Sequence, residues 1–160
     1  MPSSRDISGI LAARGFRWPP AIQPQGRYEL VVVYDGIART SGQVPRLDNQ
    51  GRLLAGRVEA DGDLEEARQA ARLCLVRNLL ALQQELGDLA RVERLLALRG
   101  FIRAAPEFST PWRGHGRRLR TGDRALWRRG PPRALRGGRG ELPSGALIEI
   151  ELTAAVRSAG

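Results

Sequence analysis

Two hydrophobic periods alternate along this chain, and they divide it into strands and one long helix. Leu30 to Tyr34 is apolar and β-branched, Asp35-Gly36 follows, and Ile37 to Thr40 resumes the strand pattern. An Asp-Gly pair between two such runs predicts a two-residue hairpin turn, because both turn positions need positive φ. Near the other end Ile148, Ile150 and Leu152 alternate with Glu149, Glu151 and Thr153, the period of a half-buried strand. Between them Ala67, Ala70, Ala71, Leu73, Cys74, Leu75, Asn78, Leu82 and Leu86 recur at three- and four-residue steps, so the spacing predicts a helix over Leu64 to Leu86 with one face packed on something apolar. Asp63 is placed to cap it, Glu66 to complete a capping box, and Gly87 to stop it. Asp48 to Gly51 reads as a turn before the run Leu53 to Val58, and Val92 to Phe101 reads as a further strand. The first 25 residues read as a lead-in: a short helical or irregular piece from Ile7 to Ala13, ended by Gly15 and by Pro19 and Pro20. Strands, helix, strand, an unreadable stretch and a last strand make an α+β fold, with residues 26–157 as a single domain.

Composition sharpens this picture in one place. Residues 109–140 hold ten arginines, seven glycines and a single acid, Asp123, giving +9, which equals the net charge of the whole 160-residue chain. The flanking protein is therefore neutral, and the high isoelectric point describes one segment. All 26 basic residues are arginine, as a GC-rich coding sequence produces. No run of eighteen apolar residues and no basic start followed by an apolar stretch is present, which points to a cytoplasmic protein without a membrane span. One cysteine, Cys74, and one histidine, His115, exclude an internal disulfide and disfavour a protein-only zinc site, so no metal and no cofactor is expected. Cys74 falls in the apolar helical stripe and reads as core.

Several motifs, taken together and in order, resemble the YjgF/RidA family, also called endoribonuclease L-PSP. They are Ser41-Gly42-Gln43-Val44-Pro45, the Gly51 to Val58 run, the capped helix, Gly87-Asp88-Leu89 with Val92, Gly100-Phe101-Ile102 through Ala105-Pro106-Glu107-Phe108, and Leu142-Pro143 with Ile148-Glu149-Ile150-Glu151. The matches span roughly three quarters of the chain, and the long lead-in points to the family's longer branch. The resemblance implies a chorismate-mutase-like mixed β-sheet with helices packed on one face, a homotrimer, and a cleft for a small carboxylate-bearing molecule at each subunit interface. It also implies hydrolysis of enamines and imines to 2-oxoacids and ammonia. Position by position, Tyr28 and Ser41 correspond to pocket-lining residues and Glu149 to the acid that handles the water. The family's carboxylate-binding arginine falls at Ala134 in this chain. Arg133 and Arg136 are its neighbours, and Arg133 stands as the substrate-binding candidate, although a one-residue shift along a strand turns a side chain to the opposite face.

The segment 109–140 lacks the helix and strand pattern that the resemblance expects before Leu142. A reading shifted by one base permits that pattern from Arg113 through Arg139, with the original frame resuming near Glu141, as two compensating frameshifts would leave it. Three other readings stand beside deamination: a non-enzymatic ligand-binding trimer, which Ala134 favours; ribonuclease action, disfavoured because His115 is the single histidine; and RNA binding through the arginines with Trp112 and Trp127, disfavoured as an out-of-frame by-product. From the residues alone Tyr28 is equally an ordinary strand aromatic, Ser41 a strand-end hydroxyl and Glu149 a solvated strand residue.

Overall fold

The structure is a computed structural model, and it describes residues 21–48, 52–59, 64–105, 133–137 and 141–157, with 133–137 as a backbone strand. The hairpin forms where the pattern placed it. Strands β1 (Val31–Tyr34) and β2 (Ile37–Thr40) pair antiparallel with Tyr34 opposite Ile37. The turn holds Asp35 at φ 47° and Gly36 at φ 71°, the paired left-handed conformations that favour this dipeptide.

Helix α1 spans Leu64–Leu86. It ends at Gly87, which adopts φ 77° while its N–H still donates to Gln83 O at 2.9 Å, the left-handed stop that glycine provides without a Cβ penalty. The expected cap, Asp63, lies outside the described residues. Ala67, Ala70, Ala71, Cys74, Leu75, Asn78, Leu82 and Leu86 are buried as the stripe predicts, but burial also takes in Val76, Arg77, Leu79, Leu80 and Ala81, and Leu73 stays half-exposed. The middle of α1 is thus covered on more than its sheet side. One contributor is the end of the lead-in: Ile22 N–H donates to Gln84 Oε1 at 2.7 Å, Gln84 Nε2 donates to Ile22 O at 3.0 Å, and the Ile22 side chain joins the core.

Strand β3 runs Val92–Ile102, β4 Arg133–Gly137 and β5 Ile148–Val156. The sheet order is β1-β2-β5-β3-β4, with β3 and β4 parallel and the other neighbours antiparallel. This is an α+β protein with a mixed sheet and α1 packed on one face. β5 is central, and its alternation is complete: Ile148, Ile150, Leu152, Ala154 and Val156 are buried, while Glu149, Glu151, Thr153 and Ala155 are half-exposed on the other face. The run Leu53–Val58 does not ladder. Leu53 bridges Arg46, Ala55 bridges Ala146 and Val58 bridges Ala104, because Gly56 at φ 126° breaks the extended path between them.

A buried polar network locks α1 in register over the sheet. Asn78 is fully buried; its Nδ2 donates to Cys74 O at 2.8 Å and to Ile150 O at 2.9 Å, and its Oδ1 accepts from Thr40 Oγ1 at 2.5 Å. Thr40 Oγ1 in turn accepts from Leu152 N–H at 2.8 Å. Every polar atom of this set is satisfied, which is the condition for polar groups to be stable in a core.

A strand, β4, does form in the segment that lacks the expected pattern, pairing Ala97 with Arg133, Leu98 with Ala134 and Phe101 with Gly137. The rest of the arginine-rich segment, residues 109–132 and 138–140, lies outside the described residues, and with it Trp112, His115 and Trp127. No helix among the described residues is long and apolar enough to cross a membrane.

Candidate functional site

Glu149 lies on the face of β5 turned away from α1, opposite Phe101 of β3. On its other side the chain leaves β2 through Ser41 and Gly42 and rejoins the sheet at Gln43, which exchanges hydrogen bonds with Ile150 at 2.9 and 3.0 Å. That path brings Gly42 directly beneath the Glu149 carboxylate. A Cβ at position 42 would stand 1.7 Å from Glu149 Oε1, 2.7 Å from Cδ and 3.0 Å from Cγ. The glycine of the Ser-Gly-Gln motif is therefore needed for space: only a hydrogen fits where the carboxylate rests.

This seat removes water from the carboxylate. Burial, and then the neighbouring Glu151 charge, raise the Glu149 carboxyl above its ordinary value. Glu151 itself is paired across the strands with Arg99, whose Nη1 donates to Oε2 at 3.3 Å. Glu149 has no such cation among the described ion pairs. Two neighbouring carboxylates on one strand thus differ in environment: Glu151 has a guanidinium partner, while Glu149 is held closer to its protonated form.

Ser41 is fixed by its backbone, its N–H donating to Leu30 O at 2.8 Å. Its Oγ accepts from the buried Gln43 Nε2 at 3.1 Å, which leaves the hydroxyl proton for a further acceptor. Ser41 and Glu149 are brought together through Gly42. Tyr28 is 47% exposed, and its hydroxyl accepts from Gln25 N–H at 3.2 Å. By register Arg133 pairs with Ala97, at the opposite end of β4 from the Phe101 level where Glu149 sits.

Arg77 is the residue that sequence reasoning missed. It is 5% exposed, its Nε has no hydrogen-bond partner among the described residues, and burial followed by the nearby Arg46 charge pulls it below the ordinary arginine value. The available signal was its position three residues after Cys74, on the flank of the apolar stripe. Cys74 is core, as expected: its thiol lies 3.7 Å from Ile148 O, and burial pushes its pKa up strongly. Among the described residues no group of three or more His, Cys, Asp and Glu side chains is placed to hold a metal ion.

A helix on one face of a mixed sheet, with a glycine-seated acid on the central strand, defines an α+β protein of the chorismate-mutase-like kind. No family model matches the chain. Among solved structures it is similar to Atu1372 of Agrobacterium tumefaciens, a protein of unknown function, at 26% identity and a TM-score of 0.74 over 96% of this chain and 94% of that one. It is similar to a candidate endoribonuclease of Shewanella oneidensis MR-1, at 21% identity and a TM-score of 0.71 over 93% and 98%. A third similar structure is E. coli TdcF with bound serine, at 23% identity and a TM-score of 0.50 over 88% and 93%. Protein TCP17 of Trypanosoma cruzi is 31% identical over 107 residues, 67% of this chain and 66% of that protein, so the match spans just under two thirds of TCP17. The fold is the one these solved structures share, as the resemblance carried by the Ser-Gly-Gln and Ile-Glu-Ile-Glu motifs implied.

Proposed function

We propose that the protein hydrolyses small enamines and imines of amino-acid origin, giving 2-oxoacids and ammonia, with Glu149 as its general acid and base. The observation that carries this reading is the Glu149 carboxylate seated on Gly42 beside Ser41, with its pKa raised by burial. An imine carbon is already electrophilic, so the protein has to hold the substrate and move protons. Starting from the iminium, Glu149 takes a proton from the attacking water as the carbon–oxygen bond forms, giving the carbinolamine, and returns that proton to nitrogen. The carbon–nitrogen bond then breaks as the carbonyl double bond forms, ammonia leaves, and the hydroxyl proton passes to Glu149 and on to solvent. A carboxyl raised towards neutrality performs both halves better than one at its ordinary value. Ser41 offers a hydroxyl proton to the substrate, and Tyr28 lines the same cleft by analogy with the family.

The serine bound by the similarly folded TdcF supports a small amino-acid-like ligand. A homotrimer is supported by the sheet face opposite α1, where Val32 is 57% and Tyr34 82% exposed beside Ile37 and Ala155, an uncovered apolar strip of the kind that subunits bury. The second reading, a ligand-binding trimer without catalysis, is favoured by Ala134 at the family's clamp position. The test is 2-oxoacid release from freshly generated iminoacid, run beside an RNA-cleavage assay and repeated on a chain with the shifted reading of 113–139 restored. Acceleration of the first reaction and silence in the second is the expected result. Binding without acceleration in both chains favours the second reading.

A further inference from the structure

Two strand registers flank the Ser41-Gly42 turn, and they differ by one residue. Arg39 stands opposite Thr153 and Gln43 opposite Ile150, so four steps along one strand accompany three along the other. The extra residue makes a bulge, a device that re-aims side chains beside a site. Beyond it Gln43 is buried at 4% exposure, while Ser41 stays half-exposed. The Gln43 backbone is firmly held: it exchanges hydrogen bonds with Ile150, and Ile150 O also accepts from Asn78 Nδ2 at 2.9 Å.

This buried amide turns its nitrogen to Ser41. Gln43 Nε2 donates to Ser41 Oγ at 3.1 Å and lies 3.4 Å from Ser41 O. A carbonyl oxygen only accepts, so the second contact fixes which end of the amide faces the serine; turned over, Oε1 would meet another acceptor. A hydroxyl carries one proton and two lone pairs. Gln43 occupies one lone pair, so the proton is directed away from the amide, and it meets no acceptor among the described residues. Were residue 43 itself an acceptor, it would take that proton and leave Ser41 presenting lone pairs instead.

We propose that Gln43 is a positioning residue: it holds Ser41 as a hydrogen-bond donor, so that the site takes a small ligand by an acceptor oxygen, a carboxylate or carbonyl, at this point. Gln43 acts through Ser41 and touches no ligand itself. The inference rests on the reading above that Ser41 and Glu149 share one site, and it adds what decides the polarity of the serine.

The test is calorimetric titration of the full chain with pyruvate, the smallest 2-oxoacid, on wild type, Ser41→Ala, Gln43→Glu, Gln43→Met and the Ser41→Ala/Gln43→Glu pair. Gln43→Glu keeps the side chain's length and replaces a donor by an acceptor. It is expected to lose about 10- to 100-fold in affinity, the range for a hydrogen bond to a charged group. Gln43→Met, with neither donor nor acceptor, frees the hydroxyl to rotate and is expected to lose about 2- to 10-fold, the range for a neutral hydrogen bond. In the Ser41→Ala background Gln43→Glu is expected to cost nothing further, because no hydroxyl remains to be turned. Wild-type affinity in Gln43→Glu overturns the proposal, and so does wild-type affinity in Gln43→Met if the glutamate variant does not fold. A Gln43→Glu loss that persists in full without Ser41 also overturns it, since it assigns the effect to added charge or a disturbed strand. Imine hydrolysis is assayed on the same wild type. Hydrolysis with affinity indifferent to Gln43 sinks this proposal alone, whereas pyruvate binding that follows Gln43 without hydrolysis sinks the enzymatic reading alone.

Discussion

Replacing Gly42 by alanine separates the chemistry of the site from its stability. The new Cβ would lie 1.7 Å from Glu149 Oε1, roughly half the 3.5–4 Å of an unstrained non-bonded contact, so something has to move well over an ångström. The backbone at 42 is held on both sides, by Ser41 N–H to Leu30 O at 2.8 Å and by the Gln43–Ile150 pair at 2.9 and 3.0 Å. The Glu149 carboxylate is the free end of a flexible side chain, and it is what yields. Turning it out costs about 0.5–1.5 kcal/mol if the new position is off-rotamer, and part of that is returned as the carboxylate regains water. Gly42→Ala is therefore expected to lose less than about 2 kcal/mol in denaturant unfolding. Its imine-hydrolysis rate falls by about 10²–10⁴, the range for removing a positioned acid and base. In a Glu149→Ala background the same change costs nothing further, because no carboxylate remains to be displaced. Gly42→Ala with the wild-type rate would refute the seat, and equal further loss in the Glu149→Ala background would place the effect in the backbone instead.

Three other outcomes follow from the same geometry. Burial and Glu151 raise the Glu149 carboxyl, so the folded protein holds this proton more tightly than the unfolded chain. That contribution is complete below about pH 4, the range of an unfolded glutamate, and is lost as pH rises through the folded value. Glu149→Gln should match wild type in acid and exceed it above neutrality in unfolding measured across pH. Asn78→Ala removes three buried hydrogen bonds and leaves a cavity, with an expected loss of about 2–4 kcal/mol in chemical denaturation. Arg77→Met removes a buried charge that has no ion pair among the described residues and is expected to raise stability by about 1–3 kcal/mol, seen as a higher denaturation midpoint.

The elements most legible in the sequence are those with a local cause. The Asp35-Gly36 turn, the α1 stripe ended by Gly87 and the alternation of β5 each follow from periods and φ preferences carried by a few adjacent residues, and each is present in the fold. The run Leu53–Val58 stood out only as an apolar run after a turn, and its three bridges go to three different partners that no local pattern reveals. β4 forms from a stretch whose composition favours no strand, because β3 offers it a parallel edge. At the site, Glu149 came from a motif, but its seat on Gly42 depends on how the Ser41–Gln43 turn crosses β5. Arg77 was invisible for a related reason. An arginine on a helix is ordinarily solvated, and the burial of this one is set by tertiary packing that no local pattern reveals.

The most direct test of the account is stopped-flow decay of a freshly generated iminoacid with wild type and with Glu149→Gln, both at neutral pH and matched native mass. The account predicts that wild type accelerates 2-oxoacid formation over buffer and that Glu149→Gln loses at least about a hundredfold of that rate. Equal decay with the two proteins, or a wild type no faster than buffer, contradicts it.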